Sequence, residues 1–170
     1  MESQKFSELG EREREQYNKG LERGGYEKIF NHCRYFYIRR RYSLIKEMMQ
    51  CAQGKKVLEI GSTAWRGWLD NNSILPSSLT CINISEAELQ AGVDFAASSD
   101  NSPDFILMDA HDLQFEDGTF DFVYGDAILH HLNMVPALDE IFRVLKPNGK
   151  ILFVEPLDIN PAGKLLRSLT

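Results

Sequence analysis

The stretch Tyr124-Gly125-Asp126-Ala127-Ile128-Leu129-His130-His131-Leu132 places one carboxylate and two imidazoles close together in the chain. These residue types give and take protons near neutral pH. Adjacent side chains on a helix diverge by roughly 100°, so His130 and His131 are expected to face different atoms. One can then act as a general base or orienting group while the other packs or meets solvent. For each, the competing expectation is a histidine hydrogen-bonded to structure beside a sheet. Adding His111 to Asp126, His130 and His131 matches no recognised ligand spacing, and no metal is expected.

Three further stretches set special residues directly behind apolar runs. In Glu59-Ile60-Gly61-Ser62 the glycine lets backbone approach a ligand, and the peptide N–H groups that follow can meet polar or anionic groups. Asn83-Ile84-Ser85 puts a polar side chain where a ribose would lie if the ligand were a nucleoside; an Asn that starts a turn reads equally well. In Met108-Asp109-Ala110-His111, Asp109 can accept from an adenine amino group, cap a helix or tighten a loop.

The elements that must position these residues follow from periodicity. Short apolar runs at Val57–Ile60, Leu79–Ile84, Phe105–Met108, Phe120–Tyr124 and Ile151–Val154 read as strands buried on both faces. Ser85 to Ala97 opens with a capping-box pattern, Ser85 and Glu88 three apart, and reads as a helix. Asn133 to Leu145 carries Leu138, Ile141, Phe142 and Leu145 at helical spacing, with Asn133 as cap and Pro136 in the tolerated first turn. Pro147-Asn148-Gly149 is expected to turn the chain into the last strand. Strands alternating with helices imply an α/β fold, a Rossmann-like open and mostly parallel sheet flanked by helices. In such sheets ligands bind at the carboxyl ends of the strands, where strand order reverses.

Ahead of the sheet, residues 1 to about 25 are polar, and the run from Glu11 to Glu15 reads as a solvated helical face. Tyr26 to Gln50 reads as one amphipathic helix, possible kinks aside, through Ile29, Phe30, Cys33, Phe36, Tyr37, Leu44, Ile45 and Met48, with Gly54 as its stop. The domain expectation is a helical arm or lid over 1–53 and a Rossmann-like ligand-binding domain over 54–170. Arg39, Arg40 and Arg41 on the arm read as a solvated basic face.

The chain has 170 residues, enough for one ordinary core. Its formal charge of -6 argues against nonspecific binding to nucleic acid or an anionic membrane. Cys33, Cys51 and Cys81 are widely spaced and read as reduced structural thiols. With neither a signal-peptide pattern nor an apolar run of membrane-spanning length, the chain reads as cytoplasmic.

The order of these strand-end residues resembles the class I S-adenosylmethionine-dependent methyltransferases, in particular the small-molecule group often called type 11. The resemblance spans about Lys55 to Pro156. It rests on VLEIG at 57–61, on DAHDLQFEDGTFDFVYGDAILHHL at 109–132, and on ALDEIFRVLKPNGKILFVE at 137–155. It implies S-adenosylmethionine as cofactor, S-adenosylhomocysteine as product, and a small-molecule methyl acceptor. It further implies that Glu59 shapes the loop near the methionine amino group and that Gly61 and Ser62 line the methionine and ribose portion. Asn83 and Ile84 fall at the ribose, Asp109 and Ala110 border the adenine, and Asp126 and Ala127 close the pocket. His131, at the family's commoner histidine position, or His130 is the implied base.

Two positions depart from the family pattern. Its loop usually reads G-x-G-x-G, whereas Thr63 and Trp65 follow Gly61 here, and Asn83 replaces an acid that would accept from both ribose hydroxyls. Loss of that charge is expected to cost about 1 kcal/mol of cofactor binding. The tail after Glu155 is shorter than the two strands the family usually adds, so the strand 151–154 is expected to be an edge covered by the tail, a second copy or a partner chain. The competing function is a non-catalytic S-adenosylmethionine-binding or partner domain. A nicotinamide oxidoreductase ranks last, because the G-x-G-x-x-G fingerprint is absent.

Overall fold

The computed structural model describes residues 43–61, 74–97 and 103–155, with Glu11 and Glu15. Several expectations therefore lie outside the described residues: most of the 26–50 helix, Cys33, Arg39 to Arg41, Ser62, the Thr63 and Trp65 departures, and the tail beyond Glu155.

Five strands, β1 (Lys56–Ile60), β2 (Ser78–Asn83), β3 (Asp104–Leu107), β4 (Phe120–Asp126) and β5 (Leu145–Val154), form one sheet in the order β3-β2-β1-β4-β5. Every neighbouring pair is parallel. The three inner strands are buried along nearly their whole length, as expected of the interior of a parallel sheet. The outer two are not: β3 and β5 are half-exposed over much of their length. Double burial needs a neighbour on both sides, and the ends of the sheet have only one.

Because side chains alternate along a strand, the sheet has two separate cores. Val57, Leu79, Cys81, Phe122, Tyr124 and Leu152 line one face and pack with Met49 and Ala52. Leu58, Ile60, Ile82 and Val123 line the other with Ile141 and Val144. Residues 43–49 are helical and run into a 3-10 turn at Gln50–Ala52. Within this segment Ile45, Met49 and Ala52 meet the core, whereas Leu44 and Met48 are exposed. The buried stripe thus runs through i, i+4 and i+7, offset from the expected one.

Helix α1 (Glu86–Ala96) starts as its sequence requires: Ser85 is the cap, and its side chain accepts from the Glu88 N–H at 3.3 Å. Helix α2 (Met134–Val144) buries Ala137, Ile141 and Val144 and leaves Phe142 exposed. Leu145, expected on the helix, is already paired with Phe120 in β5. Asn133 occupies the cap position of α2, but its side chain makes no capping bond. The Pro147-Asn148-Gly149 turn lies inside the span of β5 as an irregularity in register between Phe120 and Phe122, with Asn148 at φ 66°. A Cβ on Gly149 would meet Leu145 Cγ at 2.6 Å, so glycine lets this bulge close.

A polar clamp holds α2 to the segment leading into β4. The Arg143 guanidinium donates to the carbonyl oxygens of Leu113 (2.6 Å) and Phe115 (2.7 Å), to Asp117, and through Nε and Nη2 to Glu140 at 2.8 Å. Glu140 accepts in turn from the Leu113 N–H at 2.8 Å. At the base of the sheet, Asp121 accepts from the Lys56 N–H at 3.0 Å and from Lys146 Nζ at 2.9 Å, joining β1, β4 and β5. The Lys56 N–H and then the Lys146 ammonium hold the Asp121 carboxyl below its ordinary range, and the Arg143 guanidinium does the same for Glu140.

A carboxyl whose folded-state pKa is lowered contributes stability above its unfolded value, about 4.3 for Glu, and loses that contribution as pH falls through the folded value. Glu140→Gln is expected to lose about 1 kcal/mol near neutral pH, the low end for a partly exposed charge-assisted pair. The difference from wild type should shrink as pH drops below the Glu range. Urea unfolding across that pH span measures both, and a constant difference would show that the charge of Glu140 contributes nothing.

Candidate active site

Chain order and strand order part company at β1. From β1 the chain proceeds to β2 and β3 on one side, then crosses to β4 and β5 on the other. The segments leaving β1 and β4 therefore diverge, and a crevice opens between their carboxyl ends. Gly61 sits there with φ at 65°, its N–H donating to Ile82 O at 3.0 Å. A Cβ at Gly61 would fall 2.7 Å from the Ile128 side chain. Glycine is thus needed for its backbone conformation and for close approach of the β4 loop.

The β4 tip carries its own strain. Ala127 has φ at 54°, and its N–H donates to Val154 O at 2.7 Å. A non-glycine residue in the left-handed region costs about 1–2 kcal/mol, and such residues concentrate where a site is being shaped. Asp126 is the last residue of β4, half-buried and paired with Val154. Ala127 then turns the chain into the 3-10 helix Leu129–His131.

Glu155 governs that turn. Its Oε1 accepts from the N–H groups of Ile128 (2.9 Å) and Leu129 (2.8 Å), and its Oε2 lies 2.7 Å from His130 Nδ1. Burial disfavours the charged carboxylate, but the His130 bond and the two N–H groups outweigh it and hold Glu155 below its ordinary range. His130 and His131 do not diverge as expected. Their ring centroids lie 4.0 Å apart with planes tilted by 44°. Backbone geometry does not bring them together, since a 3-10 turn spreads adjacent residues further than an α-helix does; the His130 ring is held by its tether to Glu155.

The β2 and β3 tips present the other candidates. Asn83 is buried, and its Oδ1 accepts from the Ser85 N–H at 2.9 Å, a turn that sets Ile84 and Ser85 ahead of α1. Asp109 is buried too, its Oδ1 accepting from the His111 N–H at 3.0 Å and lying 2.6 Å from His111 Nδ1. His111 Nε2 accepts from the Asn133 N–H at 3.0 Å. A backbone N–H can only donate, so Nε2 is the acceptor and Nδ1 carries the proton given to Asp109. His111 thus bridges the β3 loop, with Ala110 buried beside it, to the start of α2.

Glu59 is fully buried on the opposite side of β1 from Leu58 and Ile60, and the Cys81 thiol donates to its Oε2 at 3.5 Å. Burial, and after it the Glu59 charge, pushes the Cys81 thiol well above its ordinary value. Cys81 is accordingly an inert thiol.

The crevice thus gathers Gly61, Asp126, Ala127, His130 and His131, while Asn83, Ile84, Asp109 and Ala110 occupy the next strand ends. Sequence reading missed Glu155 and Ile128, and weighed His111 only as a member of a metal set, not as the bridge from Asp109 to Asn133. Glu155 ends the apolar run of β5, a carboxylate at a strand tip, and this was the available signal. The Ile128 contact with Gly61 had none, because it depends on β1 lying beside β4.

Residues 58–153 match the sequence model of a family described as Methyltransferase domain. The glycine/sarcosine/dimethylglycine N-methyltransferase of Actinopolyspora halophila is 33% identical over 51% of this chain and 16% of its own length. The phthiotriol/phenolphthiotriol dimycocerosates methyltransferase 2 of Mycobacterium ulcerans, so described as probable, is 32% identical over 66% of this chain and 42% of its own. The chain spans less than half the length of these curated relatives. Among solved structures, the YcgJ protein of Bacillus subtilis shares the fold with a TM-score of 0.60 at 23% identity, over 69% of this chain and 50% of that one. The matched segment begins inside β1 and ends inside β5, so it contains every strand end that forms the crevice, and the chain belongs to the methyltransferase domain family.

Proposed function

We propose that residues 54–170 bind S-adenosylmethionine across the carboxyl ends of the strands, under a helical arm formed by 1–53, and transfer its methyl group to a small-molecule acceptor. The observation that carries this reading is the reversal of strand order between β1 and β4, with Gly61 in a left-handed conformation beneath the strained Ala127 turn. The fit to the cofactor is chemical. Buried oxygens stand at three successive strand ends, on Glu59, Asn83 and Asp109, and ribose hydroxyls, an amino group and an adenine amine are all donors. A carboxylate offers about four lone-pair positions, so the bond from His111 to Asp109 is compatible with a further donor. When bound, the sulfonium supplies an activated methyl group, and the protein's part is largely alignment of the acceptor.

In this reading Gly61 and Ser62 line the methionine end, Asn83 and Ile84 meet the ribose, Asp109 and Ala110 border the adenine, and Asp126 and Ala127 close the pocket. His131 or His130 accepts the acceptor's proton. No described helix is long and apolar enough to cross a membrane. We place the protein in the cytoplasm, where buried free thiols such as Cys81 stay reduced. The outer edge of β5, with Ile151 exposed, pairs with a second copy or a partner chain.

Titration calorimetry is expected to give heat with S-adenosylmethionine and none with NAD; the reverse would remove this reading. Asn83→Asp should tighten cofactor binding several-fold, about 1 kcal/mol, while keeping the turn to Ser85. Weaker binding would take Asn83 away from the ribose. In a methyl-transfer screen over small amines and phenols, Asp126→Ala should lower turnover at least tenfold. His131→Ala with full activity would end that histidine's claim to be the base. Light scattering with hydrogen exchange checks the edge: a monomer whose Ile151 and Phe153 amides exchange freely rules out pairing along 151–154.

A further inference from the structure

The carboxylate of Glu155 does two jobs with its two oxygens. One accepts from two backbone N–H groups at the start of the 129–131 turn, and the other lies 2.7 Å from His130 Nδ1. A carboxylate can only accept, so Nδ1 is the nitrogen that carries the proton. In the neutral imidazole Nε2 is then a lone pair, on a side chain that is 46% exposed at the tip of β4.

Resting on the methyl-transfer reading above, we propose that Glu155 is a positioning residue that fixes His130 as the Nδ1–H tautomer, making His130 Nε2 the base, and that the acceptor is a nucleophile carrying both a lone pair and a proton, a hydroxyl or a neutral amine. As the bond from the methyl carbon to the nucleophile forms, the carbon–sulfur bond breaks and its electron pair returns to sulfur, which becomes a neutral thioether. The nucleophile's proton passes to His130 Nε2. The imidazolium so formed is paired with the Glu155 carboxylate, as in other base–orienter pairs. The His131 ring lies beside it, 4.0 Å away between centroids and tilted by 44°.

Glu155→Gln separates this role from simple capping. Two backbone N–H groups require an acceptor, so the Gln oxygen stays with Ile128 and Leu129 and its amide NH2 turns to His130. That group can only donate to Nδ1, which must then be the lone pair. Long-range 15N–1H spectra, recorded where imidazoles are neutral and assigned with His130→Asn, are expected to show Nδ1–H in the wild type and a switch to Nε2–H in Glu155→Gln. A wild-type Nε2–H tautomer, or an unchanged tautomer in Glu155→Gln, overturns the proposal. Wild-type calorimetry with S-adenosylmethionine tests the underlying reading separately: heat without the tautomer switch rejects Glu155 alone, and the switch without heat rejects methyl transfer alone. With an acceptor from the screen, Glu155→Gln should lower kcat at least tenfold with KM nearly unchanged. An effect confined to KM counts against the base.

Discussion

The parallel pairing of β1 with β4 is the constraint from which the rest of the site follows. Glu59 stands beside Cys81 on one side and Tyr124 on the other, so β1 is central, and the segments leaving its neighbours must separate. Gly61 and Ile128 meet across that separation, and no side chain larger than hydrogen fits at Gly61. The crevice is a product of topology, and one glycine lets its two sides approach.

The residues divide by task along the axis of the sheet. Asp121, Arg143, Lys146 and Gly149 all belong to the stretches through which the family resemblance is most visible, yet none stands at a strand's carboxyl end. They seal the opposite end, clamp α2 and close the β5 bulge. The polar residues at the other end are spent on turns: Asn83 to Ser85, Asp109 to His111, Glu155 to Ile128 and Leu129. Strand ends built this way are preorganised, because their polar side chains are already tied to backbone. The left-handed Ala127 is held in place by the Val154 bond.

Much of this was legible in advance, and the failures have physical causes. Apolar runs located the first three strands within a residue at each end, but β4 continues two residues past Tyr124 to Asp126, and β5 starts at Leu145 because that residue already pairs with Phe120. The Ser85 cap was readable because a capping box is local. Asn133 takes the cap position of α2 as read, but without a side-chain capping bond, and its N–H is held by His111, a partner far away in the chain. Helical spacing named Phe142 and Met48 as core, but a stripe has two sides, and only packing decides which side the sheet covers.

By itself the sequence determined the alternation of strands and helices, the parallel sheet and the positions at which chemistry could sit, because these depend on periodicity, caps and turn residues within short windows. Only the tertiary structure decided what those positions do to one another. It brought His130 and His131 ring to ring, gave Glu155 to His130, and turned Asp109 toward His111. Each of these is an encounter of groups whose partners are chosen by strand order and by which buried donor most needs an acceptor, and neither is written in any local pattern.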